Sequence, residues 1–185
     1  MKKMSTLYKK DINDLSKVIN EVNEENSWVF EFGIPTRKFD GTAMAIINME
    51  LYKRYDCKKG KTPPEGAIPC DDPDPITGHW PHWIKCDRNN PQDKWAFQAF
   101  DKKEKWEDST YELCGEKVQS NPECINGHEL IKHGIEKLNV TDLSFEGLRE
   151  YFSNLELDIE GIVFHDKTGQ GRMCKIRKCD FGIKR

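Results

Sequence analysis

Apolar residues recur with helical spacing in one segment of the chain, and this pattern predicts a helix over residues 145–154. The apolar stripe consists of Leu148, Tyr151, Phe152 and Leu155. Ser144 stands at the expected N-cap, and Leu143 and Leu148 have the spacing of a hydrophobic staple. A shorter amphipathic helix is predicted over 14–22. Its apolar positions are Leu15, Val18, Ile19 and Val22.

Short apolar and β-branched runs predict strands in most of the remaining chain. The predicted strands cover residues 28–32, 43–47, 51–55, 94–100, 111–115, 159–164 and 173–177. Pro35 imposes an extended or turn conformation on Ile34. The segment 57–93 contains seven of the nine prolines, which predicts a long loop anchored by Trp80 and Trp83.

The composition is that of a folded, water-soluble chain. Its 185 residues and 21.6 kDa fit a single domain, 1–185, and the mean hydropathy of −0.80 indicates a small core beneath a polar surface. No run approaches the ~20 apolar residues of a membrane helix, and the first ten residues lack a signal-peptide core. The seven cysteines include no Cys-x-x-Cys pair, which indicates reduced thiols. We therefore expect a cytoplasmic protein.

Two segments are strongly basic although the net charge is −3. Residues 167–185 carry seven basic side chains against one acid, and residues 53–61 carry five against one. Basic segments in an acidic chain favour a local contact with phosphate over a general coating of nucleic acid. Solvated charge at strand edges explains each segment equally well.

Two cysteines and two histidines within a short stretch form the best candidate for a zinc site. They are Cys70, His79, His82 and Cys86. Their residue types suit zinc, but they lack the paired spacing of structural zinc sites. A polar loop with ordinary side chains is the alternative.

Four short motifs carry the chemistry, in a fixed order along the chain. Lys38-Phe39-Asp40-Gly41 lies between two predicted strands, and Glu112 lies within a later strand. Glu160-Gly161-Ile162-Val163-Phe164 and Lys175-Ile176-Arg177 follow near the end. A Lys-x-Asp-Gly string alone is a weak signal, so the weight rests on the series.

This series resembles the ordered motifs of the covalent nucleotidyltransferases, the superfamily of nucleic-acid ligases and messenger-RNA capping enzymes. Within it, the chain is most similar to small ATP-dependent RNA ligases. The closer similarity rests on residues 34–42, 112–123, 132–134 and 160–164, and on the Gly-His-x-Pro-x-Trp segment at 78–83. It spans roughly residues 30–182.

The resemblance implies an α+β fold, a single nucleotidyltransferase domain of antiparallel β-sheets with flanking helices and the nucleotide in the groove between sheets. Because the chain stops directly after its last motif, we expect no C-terminal accessory domain. Whether a second protein supplies further RNA contacts is left open.

The implied activity is that of an RNA-repair ligase that joins 5′-phosphate and 3′-hydroxyl RNA ends. Lys38 would attack the α-phosphorus of ATP, AMP would pass from the lysine to the RNA 5′-phosphate, and the 3′-hydroxyl would then displace AMP. The cofactors would be ATP and Mg²⁺, or Mn²⁺. Since a lysine amine in water is almost fully protonated at pH 7, neighbouring cations or burial must disfavour its charge.

The resemblance also implies a role for each motif residue. Glu160 and Lys175 would join Lys38 in catalysis, and Glu112 and Glu160 would meet the metal. The nucleotide-binding set would be Thr36, Arg37, Lys38, Asp40, Gly41, Arg54, Glu112, Lys117, Glu160, Lys175 and Arg177. Within it, Asp40 would brace the lysine loop and main-chain groups near Arg37 would meet adenine. Lys53 fits the position of Arg54 equally well by spacing.

Two other functions stay open at this point. A DNA ligase or a GTP-dependent capping enzyme shares the motif order. A non-catalytic RNA-binding module stabilised by metal at the cysteine–histidine cluster belongs to a different class.

Overall fold

Three antiparallel sheets and three short α-helices make up the α+β architecture of the computed structural model, which describes residues 4–75 and 77–185. The helices are α1 (Val29–Phe32), α2 (Lys94–Phe100) and α3 (Phe145–Ser153). The strands are β1 (Tyr8–Lys10), β2 (Val18–Val22), β3 (Gly33–Lys38), β4 (Thr42–Ile47), β5 (Glu50–Cys57), β6 (Ile68–Pro69), β7 (Trp80–Lys85), β8 (Ser109–Gly115), β9 (His128–Lys132), β10 (Gly161–Asp166) and β11 (Met173–Arg177). Short 3-10 turns cover Glu24–Asn26, Pro91–Asp93 and Lys178–Phe181.

The described residues divide into two compact units. The central unit comprises residues 40–75 and 77–133, and the terminal unit comprises residues 4–39 and 134–185. Among the described residues, no helix combines the length and the apolar character needed to cross a bilayer.

The central unit is built on a six-stranded antiparallel sheet with the order β6-β7-β5-β4-β8-β9. One face is apolar and packs against helix α2, whose Ala96 and Ala99 are buried. The sheet residues in this core include Met44, Ile46, Leu51, Tyr111, Leu113 and Leu130. The opposite face carries a smaller buried group of Ala45, Tyr52 and Trp83.

The terminal unit is built on a three-stranded sheet with the order β11-β10-β3, in which β10 is central. Ile162 and Phe164 of β10 are fully buried, and they belong to one core with Leu148 and Phe152 of helix α3. Strands β1 and β2 form a separate two-stranded sheet whose Tyr8 contributes to the same core. The three-stranded sheet thus packs through one apolar face against this core, and polar side chains occupy its opposite face.

Helix α3 confirms the helix predicted over 145–154. The Ser144 hydroxyl accepts a hydrogen bond from the Gly147 N–H at 3.1 Å, as expected of an N-cap. The last position of the predicted stripe is wrong, because the helix ends at Ser153 and Leu155 beyond it is 98% exposed.

Strands β4, β5, β8, β10 and β11 confirm five predicted strands, but four other predictions are wrong. Residues 14–22 form a turn and strand β2, because Asp14 accepts a hydrogen bond from the Ser16 N–H (3.1 Å) and closes a tight turn. Residues 28–32 and 94–100 are helical instead of extended. The loop predicted over 57–93 contains strands β6 and β7, of which β7 pairs with β5 along its length.

We predict that Phe152→Ala lowers the free energy of unfolding of the terminal unit by about 3–5 kcal/mol, because it leaves a cavity in a fully buried site. Leu155→Ala is the matched control and should change it by no more than about 0.5 kcal/mol. Urea denaturation followed by circular dichroism measures both. Equal effects of the two substitutions would contradict the assignment of the apolar face of α3.

Candidate functional site

Strand register gathers the basic motif residues of the terminal unit on one face of its sheet. Lys38 of β3 and Arg177 of β11 both lie opposite Gly161 of the central strand β10. In the next pair of positions along that face, Lys175 lies opposite Val163. Because residues directly opposite in a sheet point to the same side, the three cations share one face. The other face carries the buried core.

Lys38 forms an ion pair with Glu160. The amine donates a hydrogen bond to Oε2 of the carboxylate, which belongs to the residue directly before strand β10. The two side chains are only 20% and 19% exposed, so the pair is partly shielded from water. The structure thus brings Lys38 and Glu160, both named as site residues from the sequence, into direct contact.

Lys175 is a partly buried cation beside this pair. Burial lowers the pKa of its ammonium to about 8, repulsion from Arg177 and Lys38 acts in the same direction, and Glu160 and Asp180 oppose the shift. Its main chain is held on both sides, because its N–H donates to the carbonyl of Ser5 (3.0 Å). With a pKa of about 8, the Lys175 side chain loses its positive charge as the pH rises through this value.

Arg177 is held by a buried carboxylate. Oδ2 of Asp180 accepts a hydrogen bond from the Arg177 main-chain N–H at 2.8 Å, and Oδ1 accepts one from Nη2 at 3.0 Å. Lys10 of β1 reaches the same Oδ1 at 2.6 Å. Burial opposes the charge of Asp180, yet these hydrogen bonds hold its pKa below the usual value.

Gly161 lies between Lys38 and Arg177 in the sheet, at a position with no room for a side chain. A Cβ at this position would lie 2.4 Å from the Ile176 carbonyl oxygen, far inside van der Waals contact. Only glycine therefore fits here without a shift of the neighbouring strand. The glycine of the Glu-Gly pair in the third motif is thus required by the close packing of the neighbouring strand.

Thr36 and Arg37 are placed differently from Lys38. Thr36 is buried on the face of Lys38, and its hydroxyl donates to the Val163 carbonyl at 2.9 Å. Arg37 alternates to the other face, where Nη1 lies 3.3 Å from Oε1 of Glu136. The Arg37 main-chain N–H donates to the Glu136 carbonyl at 2.8 Å. The site face therefore does not include the Arg37 side chain.

In the central unit, Glu112 accepts hydrogen bonds on both carboxylate oxygens. Oε1 accepts from the Gly41 N–H at 3.1 Å, and Oε2 lies 2.8 Å from Nε2 of His133. The other ring nitrogen of His133 lies 2.9 Å from the Thr110 hydroxyl. A carboxylate has about four lone-pair sites, so Glu112 keeps the capacity to bind a cation.

A second carboxylate holds the neighbouring amide. Oε1 of Glu123 accepts from the Asp40 N–H at 2.9 Å. Gly41 has no room for a side chain, since a Cβ would lie 2.2 Å from the Leu113 carbonyl oxygen. Two consecutive amides directly after Lys38 and Phe39 are thus fixed by carboxylates. This agrees with a bracing role for the Asp40 segment.

Sheet register separates the two candidates Arg54 and Lys53. Arg54 lies on the same face of the six-stranded sheet as Glu112, and its Nε lies 3.0 Å from Oδ1 of Asp56. Lys53 points to the opposite face, where its amine lies 2.5 Å from Oδ1 of Asp93. Arg54 therefore lies on the Glu112 face of the sheet, and Lys53 does not.

Lys117 is exposed in the loop after strand β8. Its main-chain N–H donates to Nε2 of His128 at 3.2 Å, so that the other ring nitrogen carries the proton and donates to Gln98 Oε1 at 2.6 Å. Burial lowers the pKa of His128, which favours this neutral form. The backbone of the loop is fixed here, whereas the Lys117 side chain extends into solvent.

The predicted zinc cluster does not form. Among residues 4–75 and 77–185, no three His, Cys, Asp or Glu side chains come close enough together to hold a metal ion. His82 is buried, and its Nδ1 lies 2.9 Å from the Trp80 carbonyl. Magnesium has weaker demands, because it binds through one or two carboxylates, substrate phosphates and water. Glu112 and Glu160 offer the oxygen donors that this ion prefers.

Sequence reasoning missed the residues that hold the motif side chains. They are Lys10, Glu123 and Asp180, together with the glutamate contact of His133. Asp180 had one visible signal, as the single acid of the basic segment 167–185. Glu123 ends the segment 112–123 that carries the resemblance, but its partner Asp40 is 83 residues away, and Lys10 had no signal, since its partner is 170 residues away.

The described site is the main basis for a functional assignment. Neither a scan against protein-family models nor a search of the curated proteins finds a match for this chain.

Proposed function

We propose that the protein is a covalent nucleotidyltransferase of the RNA ligase type, which captures AMP from ATP on Lys38. One observation carries this proposal: Lys38 contacts Glu160 on a sheet face that also bears Lys175 and Arg177. The arrangement brings a nucleophilic amine, a proton acceptor and two cations to one surface. The assignment to a nucleotidyltransferase domain is part of the same proposal.

Glu160 is the natural acceptor of the lysine proton. The amine must lose a proton before its lone pair can attack, and the Glu160 carboxylate already contacts it. The Lys38 nitrogen would then bond to the α-phosphorus while the bond from this phosphorus to the bridging oxygen of pyrophosphate breaks. The products are a lysyl-AMP phosphoramidate and pyrophosphate.

Lys175 and Arg177 would stabilise the phosphates. Negative charge builds on the phosphate oxygens as the bond to pyrophosphate breaks, and fixed cations on the same sheet face lower the energy of that state. A magnesium ion held by Glu160 would further neutralise the phosphate chain.

The central unit supports the same chemistry through the backbone. Glu112 and Glu123 hold the amides of Gly41 and Asp40, which follow Lys38 closely in the chain. A fixed backbone at this point reduces the conformations open to the lysine loop, which favours a productive geometry. Arg54 shares the sheet face of Glu112, and the resemblance implies that it contacts a ribose hydroxyl or a 5′-phosphate.

The choice of RNA as acceptor rests on the resemblance to small RNA ligases and on the basic segment 167–185. A DNA ligase or a GTP-dependent enzyme would use the same lysine. The alternative of a metal-stabilised binding module receives no support from the described residues, among which its cysteines and histidines form no cluster.

We predict that the protein becomes covalently labelled by α-labelled ATP with magnesium, and that Lys38→Ala abolishes this label because the nucleophile is gone. Acid-resistant label on a denaturing gel measures it. The matched control is Lys9→Ala, which removes another lysine that is paired with a glutamate in the same unit and should label like wild type. Label on Lys38→Ala, or label from GTP alone, would contradict the assignment.

We predict that the labelling rate at subsaturating ATP depends on the charge of Lys175. This charge is present below pH 8 and is lost as the pH rises through about 8, whereas Lys175→Arg stays charged. The ratio of the wild-type rate to the Lys175→Arg rate should therefore fall between pH 7 and pH 9.5. A constant ratio over this range would show that the charge of Lys175 does not assist the reaction.

We predict that purified lysyl-AMP protein transfers AMP to a single-stranded RNA with a 5′-phosphate and ligates it to a 3′-hydroxyl end. Matched DNA strands test the alternative acceptor, and a 5′-diphosphate RNA with GTP tests capping. Denaturing gels with labelled strands measure the products. A preference for DNA would move the assignment to a DNA ligase.

A further inference from the structure

Asp180 is a fully buried carboxylate directly behind the candidate site. It lies in the 3-10 turn Lys178–Phe181 that follows strand β11, and its side chain is 0% exposed. A buried carboxylate is costly unless cations and hydrogen bonds compensate it. The groups that compensate the Asp180 charge therefore indicate the role of this residue.

Those partners are two cations from distant parts of the chain. Arg177 contacts Asp180 at three points, through its main-chain N–H at 2.8 Å, through Nη2 at 3.0 Å and through Nε at 3.4 Å. The amine of Lys10 lies 2.6 Å from Oδ1. Because one negative charge faces two positive charges, the cluster keeps an excess positive charge.

The contacts of Nε and Nη2 with Asp180 restrict a side chain that would otherwise be mobile. An arginine has several rotatable bonds, and fixing it on its own costs conformational entropy. Asp180 holds the main chain and the guanidinium together, so that this ordering is complete before a ligand binds. Arg177 lies on strand β11, and it is level with Lys38 because both residues pair with Gly161 of β10.

We propose that Asp180 is a positioning residue that aims the Arg177 guanidinium along the Lys38 face, where it meets the phosphate chain of the nucleotide. This inference rests on the proposed function and deepens it, since it adds a residue that no motif contains. Asp180 itself touches neither nucleotide nor nucleophile. It acts through Arg177.

Asp180 also influences the charge of Lys175. Burial, Arg177 and Lys38 disfavour the Lys175 ammonium, whereas Glu160 and Asp180 favour it. Removal of the Asp180 charge leaves Arg177 and Lys10 uncompensated. Lys175 should then lose its proton at a lower pH than in the wild type.

The test is the labelling rate of Asp180→Asn with saturating ATP in single turnover. The amide keeps an acceptor for Arg177 but loses the charge, so the rate should fall at least ~10-fold. The pH at which the rate at subsaturating ATP declines should move below that of the wild type. At pH 6.5, well below the pKa of Lys175, Asp180→Asn should cause no further loss in an Arg177→Ala background, because the residue through which it acts is already absent.

Asp166→Asn is the matched control. The side chain of Asp166 is likewise 0% exposed, and it pairs with Arg172 at 2.6 Å at the far end of the same β10–β11 hairpin. This variant removes a paired carboxylate from the same hairpin but should keep the wild-type labelling rate. Folding of both variants is checked by circular dichroism at the assay temperature.

Several outcomes would overturn the inference. They are a wild-type rate for Asp180→Asn, equal losses of rate for Asp180→Asn and Asp166→Asn, and an additional loss of rate in the Arg177→Ala background.

If Asp180→Asn does not fold, Arg177→Lys is the variant that tests the inference. It keeps the charge and the main-chain hydrogen bond but cannot form the paired Nε and Nη2 contact, so its rate should match that of Arg177→Ala, and a wild-type rate would overturn the inference. A wild-type protein that takes no label would instead overturn the proposed function, and the inference with it.

Discussion

Positive charge is concentrated on one face of the three-stranded sheet, and its balance by buried carboxylates governs the whole site. Lys38, Lys175 and Arg177 would repel one another strongly where water is partly excluded. Glu160 compensates Lys38 and Asp180 compensates Arg177, whereas Lys175 keeps a depressed pKa. The site is therefore ready for an anion, because a phosphate chain would supply the missing negative charge.

The opposite face of the same sheet makes this concentration of charge tolerable. Ile162 and Phe164 of the central strand are completely buried against helix α3, and the alternation of side chains along β10 separates apolar from polar residues. A shift of register by one residue would exchange these faces, bury the cations and expose the core. The core thus fixes the register, and the register fixes the site.

Sequence reasoning failed where local patterns were ambiguous. The run at 94–100 is rich in aromatic residues and suits a strand, yet Ala96 and Ala99 are buried on one side of helix α2. Residues 14–22 have helical spacing, but the turn at Asp14 and the pairing of β2 with β1 form a hairpin instead. Helix α3 was predictable, because its cap, staple and stripe agree.

The sequence by itself determined the α+β class, the capped helix, five of the strands and the residue types of the proposed chemistry. Only the tertiary structure decided which residues hold that chemistry in place. Lys10 and Asp180 meet across 170 residues of sequence, and the choice of Arg54 over Lys53 depends on strand pairing. Such contacts arise from the pairing of distant strands, so no local pattern of residues records them.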